Sequence, residues 1–193
     1  MFINCLNEIN FPYLKKIYRL QNIVRYNTWQ KINSESVAEH SFFVVLFAHK
    51  ICDYYKVNDN IKLVCLEMCT IHDAPEIVIN DITYDAKCAM PEITKILEKY
   101  ENKFFEEEFP EIIEKYNKLN DIDKELVDTI LKIADSLSAV QYCDNEVALG
   151  NTQFSDILAE ATGRYYRYKN KLEIILKEKM EEIQAHIQEI KNA

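Results

Sequence analysis

The chain has 193 residues, a length that favours one domain and allows roughly 70% of the unfolded surface to be buried. Its 23 Lys and Arg against 32 Asp and Glu give a net charge of −9, which argues against binding a nucleic acid polymer or an anionic membrane. Its only glycines are Gly150 and Gly163, which exclude Gly-rich phosphate loops and make a β-sandwich or barrel with many tight turns improbable.

In chain order, residues 11–24 carry apolar side chains at helical spacing, and the polar stretch 27–35 reads as a loop. Ser36 with Glu39 three residues on is a capping box, opening a helix to about Tyr55 that VNDN (57–60) ends. A second helix spans about 61–73, and Pro75 disfavours helical geometry at Ala74. Residues 77–90 read as irregular. A long helical stretch runs from about Pro91 to Lys118, interrupted at Pro110. A further helix covers about 122–148 and stops at Gly150-Asn151, and the last, about 153–190, ends in a charged tail. The expectation is an all-α bundle of about five to seven helices forming one domain over 1–193.

The six cysteines include no CxxC, and Cys65 and Cys69 lie one turn apart among apolar residues. They read as reduced, mostly buried thiols of a cytoplasmic protein. The longest apolar run, Phe42 to Ala48, is far short of the roughly 20 residues that cross a bilayer, and no signal peptide is expected at the N-terminus.

Chemical information lies in polar groups on apolar faces. His40 shares its face with Phe43, Val44, Phe47, Ala48 and Ile51; His72 follows Ile61, Val64, Cys65, Met68 and Cys69; Asp135 lies with Leu131, Ala134, Ser138, Ala139 and Tyr142. A single histidine in such a place is ordinarily a core residue bonded to a backbone carbonyl. His49, about half a turn around the helix from His40, reads that way, and His186 in the terminal helix reads as solvated. Two imidazoles and a carboxylate together, with Asp73 adjacent to His72 and with Glu76 and Asp81 nearby, point instead to a shared divalent cation. The mixed N/O set suits Mn, Co, Mg, Fe, Ni or Zn and needs no thiolate.

The order His, His-Asp, Asp, with separations of 32 and 62 residues, resembles the HD-domain metal-dependent phosphohydrolases. Arg25, SVAEHS (36–41), Ala48-His49, IHDAPEIVINDI (71–82) and KIADSLSA (132–139) narrow the resemblance to the 5′-deoxynucleotidase YfbR-like subfamily, over about 115 residues. The resemblance implies that His40, His72, Asp73 and Asp135 ligate one divalent metal. It implies that Glu76 is the acid beside the attacking water, that Asp81 holds substrate or that water, and that Arg25 reaches the substrate phosphate. The residue after that arginine is usually Trp in the subfamily, a gate against ribose; here it is Tyr26. The family's GDLPTP-like loop reads NDITYDAK (80–87), without its glycine and prolines, which bears on base preference.

The implied reaction removes the 5′-phosphate from (deoxy)nucleoside monophosphates in a homodimer. Triphosphates or another phosphoester, and a non-catalytic helical module, are the alternatives. Glu39 is a possible partner for the second nitrogen of a histidine, and Lys87 a possible phosphate contact. The stretch 98–109 reads as a solvated face with core aromatics. Its Phe104, Phe105 and Phe109, with YYRYK (165–169), offer an alternative subunit contact.

Overall fold

The computed structural model describes residues 14–192. Helices are Leu14–Ile17 (α1), Val37–Tyr54 (α2), Asp59–Ile71 (α3), Glu76–Ile79 (α4), Tyr84–Ala89 (α5), Pro91–Glu108 (α6), Pro110–Asn117 (α7), Asp121–Ala148 (α8) and Ser155–Asn192 (α9). Among the described residues, six reach eight residues or more, and no β-strand occurs; the sole pairing is a bridge between Val24 and Ser36. The all-α expectation holds.

Local chemistry sets the boundaries. The capping box forms, with Ser36 Oγ accepting from the Glu39 N–H and Glu39 Oε2 accepting from the Ser36 N–H at 2.7 Å. Asn120 caps α8, and Gly150, at φ 98, follows its end. Pro110 divides α6 from α7 by opening the second as its first residue.

Two segments differ from expectation. Beyond residues 11–13, which lie outside the described part, the predicted helix to Val24 is one short turn followed by a 3-10 turn over Tyr18–Asn22. It ends because Val37 N–H donates to Ile23 O and Arg25 N–H to Glu35 O, pulling the chain into extended pairing. Residues 77–90 are not wholly irregular: Thr83 caps the six-residue α5.

Helix α8 is the central member, packed against α2, α3 and α9. Its Leu126, Val127, Ile130 and Ala134 meet Val44 and Ala48 of α2, Cys65 and Cys69 of α3, and Leu172 and Ile175 of α9. A second cluster joins Leu20, Val37, Ile71, Ile77 and Phe104. Phe104 is only 7% exposed and packs into this cluster, so it is core and not surface available to a subunit contact. Phe43, placed on the buried face of α2 from the sequence, is instead 46% exposed.

Candidate active site

Three helices bring the four proposed ligands together. His40 lies in the first turn of α2, His72 and Asp73 follow the last residue of α3, and Asp135 sits midway along α8. His40 Nε2 is 3.2 Å from Asp135 Oδ1 and 3.6 Å from Asp73 Oδ2, and His72 Nε2 is 3.1 Å from Asp73 Oδ2. One ligand atom from each of His40, His72 and Asp73 lies within 4.8 Å of the other two. Both Nε2 atoms are buried and have no hydrogen-bond partner. Unpartnered buried nitrogens beside two carboxylates form a donor set that a divalent cation satisfies.

Electrostatics agree with that reading. Burial pushes the His40 imidazolium down, and Arg25 adds to it, so that the pKa is lowered to about 4 and the ring is neutral as a ligand must be. Burial works against the Asp73 carboxylate, but His72 and His40 outweigh it and hold the group below its ordinary range. Asp135 behaves likewise through its contacts with His40 and His72.

The second nitrogens of the rings have other partners than Glu39. His40 Nδ1 is 2.9 Å from Ser138 Oγ and 2.6 Å from Arg25 Nη1, and His72 Nδ1 is 2.8 Å from Cys69 O. Glu39 is committed to Ser36, so its alternative role is corrected: the capping box consumes it. His49 is not in the core; its side chain is 46% exposed and pairs with Asp53 at 3.1 Å. The side chain of His186 lies outside the described part.

Arg25 is fixed by Glu35, Nη1 to Oε2 at 2.8 Å, with both side chains largely buried. Its neighbour Tyr26 takes φ 52, the left-handed region that a bulky residue rarely enters. Lys31 Nζ secures the turn by donating to the carbonyls of Arg25 and Tyr26 at 3.0 and 2.9 Å. The Tyr26 ring stacks on Tyr142 at 5.2 Å and 6°, meets Phe154 edge-on at 5.5 Å, and has the Arg25 guanidinium carbon 5.2 Å from its centroid. The following strip of loop hangs on Glu146, a fully buried carboxylate that accepts from the N–H groups of Ile32 and Asn33 and from Asn151.

Arg25, Tyr26, Asp73, Glu76, Asp81 and Asp135 all face one open cavity, together with Trp29, Lys87, Glu160 and Arg164. Burial, then the charges of Asp73 and Asp81, push the Glu76 carboxyl up to about 9. Burial also raises Asp81. Asp81 follows Asn80, whose φ 64 and ψ 172 belong to a region glycine occupies without cost and an asparagine enters under strain. Lys87, offered from the sequence as a phosphate contact, is on the cavity wall.

Sequence reasoning missed Glu35, Ser138 as a histidine partner, Trp29 and Arg164. Ser138 was placed on the face of Asp135, and four residues before Tyr142, which is where the signal lay. Glu35 gave none, because its contact depends on the extended pairing of residues 23–25 with 35–37.

A helical frame that converges two imidazoles and two carboxylates beneath a charged cavity defines the HD-domain phosphohydrolase class. The chain belongs to the 5′-deoxynucleotidase YfbR-like family, which matches residues 12–191. It is 30% identical over 151 residues to a 5′-deoxynucleotidase of Photorhabdus laumondii, covering 73% of this chain and 76% of that one. With 5′-deoxynucleotidase YfbR of Escherichia coli the identity is 28% over 152 residues, covering 70% and 73%. An HD-domain phosphohydrolase of Listeria innocua superposes with a TM-score of 0.61 at 23% identity, over 90% of this chain and 87% of that one. The HD phosphohydrolase of cyanophage S-2L, solved with dA and one catalytic Zn2+, does so with a TM-score of 0.57 at 16% identity, over 82% and 95%. Family membership makes the chain a hydrolase and sets aside the non-catalytic module.

Proposed function

We propose that the chain is a metal-dependent phosphohydrolase that removes the 5′-phosphate from (deoxy)nucleoside monophosphates. The observation that carries this reading is the pair of buried, unpartnered Nε2 atoms of His40 and His72 facing Asp73 and Asp135. These four residues would hold one divalent cation, whose identity among Mn, Co, Mg, Fe, Ni and Zn is left to experiment. A phosphomonoester is among the slowest bonds to hydrolyse unaided, and the cation supplies Lewis acidity that makes water a nucleophile and draws charge from a phosphoryl oxygen.

The chain's own groups supply the rest. Burial raises the Glu76 carboxyl above its ordinary range, so the group is suited to hold a proton and deliver it to the departing 5′-oxygen. Asp81 lines the same cavity and orients substrate or the attacking water. Arg25 offers a planar fork to the phosphate.

The contact between Arg25 and His40 sets a constraint on both. A guanidinium only donates, so a bond from Arg25 to Nδ1 requires Nδ1 to accept and puts the ring proton on Nε2. Ligation through Nε2 needs the other tautomer, with Nδ1–H donating to Ser138 Oγ. With a cation held there, Arg25 would lose its bond to His40, and the guanidinium would stay on Glu35 and be available to the phosphate. Tyr26, on the cavity wall beside Arg25, crowds the sugar.

The same reading takes residues 1–193 as one domain and the enzyme as a cytoplasmic homodimer. The free thiols of Cys52, Cys65, Cys69, Cys88 and Cys143 support a reducing compartment, and family resemblance supports the dimer. No helix among the described residues is long and apolar enough to cross a membrane. A second reading, hydrolysis of nucleoside triphosphates, is favoured by Lys87 and Arg164, two further cations on the cavity wall. Product analysis separates the two: orthophosphate and nucleoside from a monophosphate support the first, and tripolyphosphate from a triphosphate supports the second.

A further inference from the structure

We propose that Trp29 is the surface on which the base of the nucleotide stacks, and that it is a specificity-determining residue of this site. The inference rests on the nucleotidase reading above. Most of the cavity wall is charged, and a planar, largely apolar base needs a different surface. The apolar side chains available there are Tyr26, Trp29, Ile82 and Ile157. Tyr26 is already engaged: Tyr142 stacks on its ring, Phe154 meets it edge-on, Arg25 lies over it, and the Cys143 thiol donates to its hydroxyl. With Tyr142 stacked on it and the Arg25 guanidinium over it, the Tyr26 ring is less suited to take a base than Trp29.

Trp29 is only half-buried and is held in place without being enclosed. Its N–H donates to Tyr26 O at 3.0 Å, closing the turn that Lys31 secures. Its ring leans on Phe154 at 6.2 Å and 59°, in the cluster that also includes Ile157. A side chain anchored at its root, with an aromatic surface on the cavity wall that also carries Arg25 and Asp135, can take a base while the phosphate lies at the metal cluster. Tyr26 keeps its place beside the sugar.

Trp29 is the chain's single tryptophan, so its fluorescence reports on this site alone. The test measures steady-state kinetics of wild type, Trp29→Phe and Trp29→Ala on deoxynucleoside monophosphates and on 2-deoxyribose 5-phosphate, which has the phosphate but no base. It also measures the tryptophan fluorescence of wild type titrated with 2′-deoxynucleosides, which have the base but no phosphate. The expected result is a KM for the monophosphates raised about tenfold in Trp29→Ala, from the loss of one stacked base, with little change in kcat. Trp29→Phe stays near wild type, 2-deoxyribose 5-phosphate is turned over equally by all three, and deoxynucleosides change the fluorescence saturably. Equal loss on the baseless substrate, or a fluorescence indifferent to deoxynucleosides, overturns the proposal. Absence of turnover with every monophosphate in wild type defeats the nucleotidase reading instead, and the fluorescence titration still decides whether Trp29 stacks a base.

Discussion

Ser138 Oγ lies 2.9 Å from Nδ1 of His40, joining α8 to α2 across 98 residues of sequence, beside the cluster of His40, His72, Asp73 and Asp135. Were His40 to ligate a cation through Nε2, as proposed, this hydroxyl would be the acceptor that fixes the ring's tautomer and orientation. Ser138→Ala should weaken metal affinity about 10–100-fold while the fold is retained, as measured by competition with a chelator. Unchanged affinity would show that His40 needs no such orientation.

Arg25 should affect metal and substrate in opposite directions. Its bond to His40 Nδ1 competes with the ligating tautomer, so Arg25→Ala should bind metal at least as tightly as wild type. Loss of the guanidinium at the phosphate should lower kcat/KM by about a hundredfold or more. Calorimetric metal titration and phosphate-release kinetics on the same variant check both halves.

The raised pKa of Glu76 has a consequence for stability in the presence of EDTA. A carboxyl that titrates near 4.3 when unfolded and at about 9 when folded keeps its proton longer in the native state. The native state then binds more protons than the unfolded state between these values, and stability falls as pH rises through that window. In EDTA, Glu76→Gln should therefore melt above wild type at pH 8, with the difference shrinking toward pH 5. Thermal melts across that range decide it, and a constant difference would contradict the assignment.

Asn80 occupies a backbone region that suits glycine, at φ 64 and ψ 172. Relief of strain exceeds the extra chain entropy lost, so Asn80→Gly should stabilise the protein by about 1 kcal/mol. Chemical denaturation tests this, and a destabilised variant would mean that the asparagine side chain does more than tolerate the turn.

Much of this site could be read from the sequence because helices carry it. His40, His72 and Asp135 each interrupt an apolar face at helical spacing, and a helix face is a one-dimensional property that neighbouring residues reveal. The capping box at Ser36 and the break at Pro110 were legible for the same reason, since both are local. What stayed hidden depends on chain segments meeting through backbone pairing or turns. The bridge of Val24 with Ser36 ends the first helical stretch and brings Glu35 to Arg25, although nothing in residues 11–24 signals it. Trp29 reads as one more residue in a polar loop until the left-handed turn at Tyr26 and the support of Glu146 set it against Phe154. Glu39 shows the converse: its proximity to His40 in sequence suggested a partner, and the cap claimed it.

The central claim is that His40, His72, Asp73 and Asp135 hold a metal on which removal of a 5′-phosphate depends. The most direct measurement is phosphate release from a panel of deoxy- and ribonucleoside monophosphates with Mn, Co or Mg against EDTA, with Asp73→Ala alongside. The account predicts metal-dependent release from deoxynucleoside monophosphates that EDTA abolishes and that Asp73→Ala lacks. Release that persists in EDTA or in Asp73→Ala, or none from any monophosphate by protein shown to have bound metal, would contradict it.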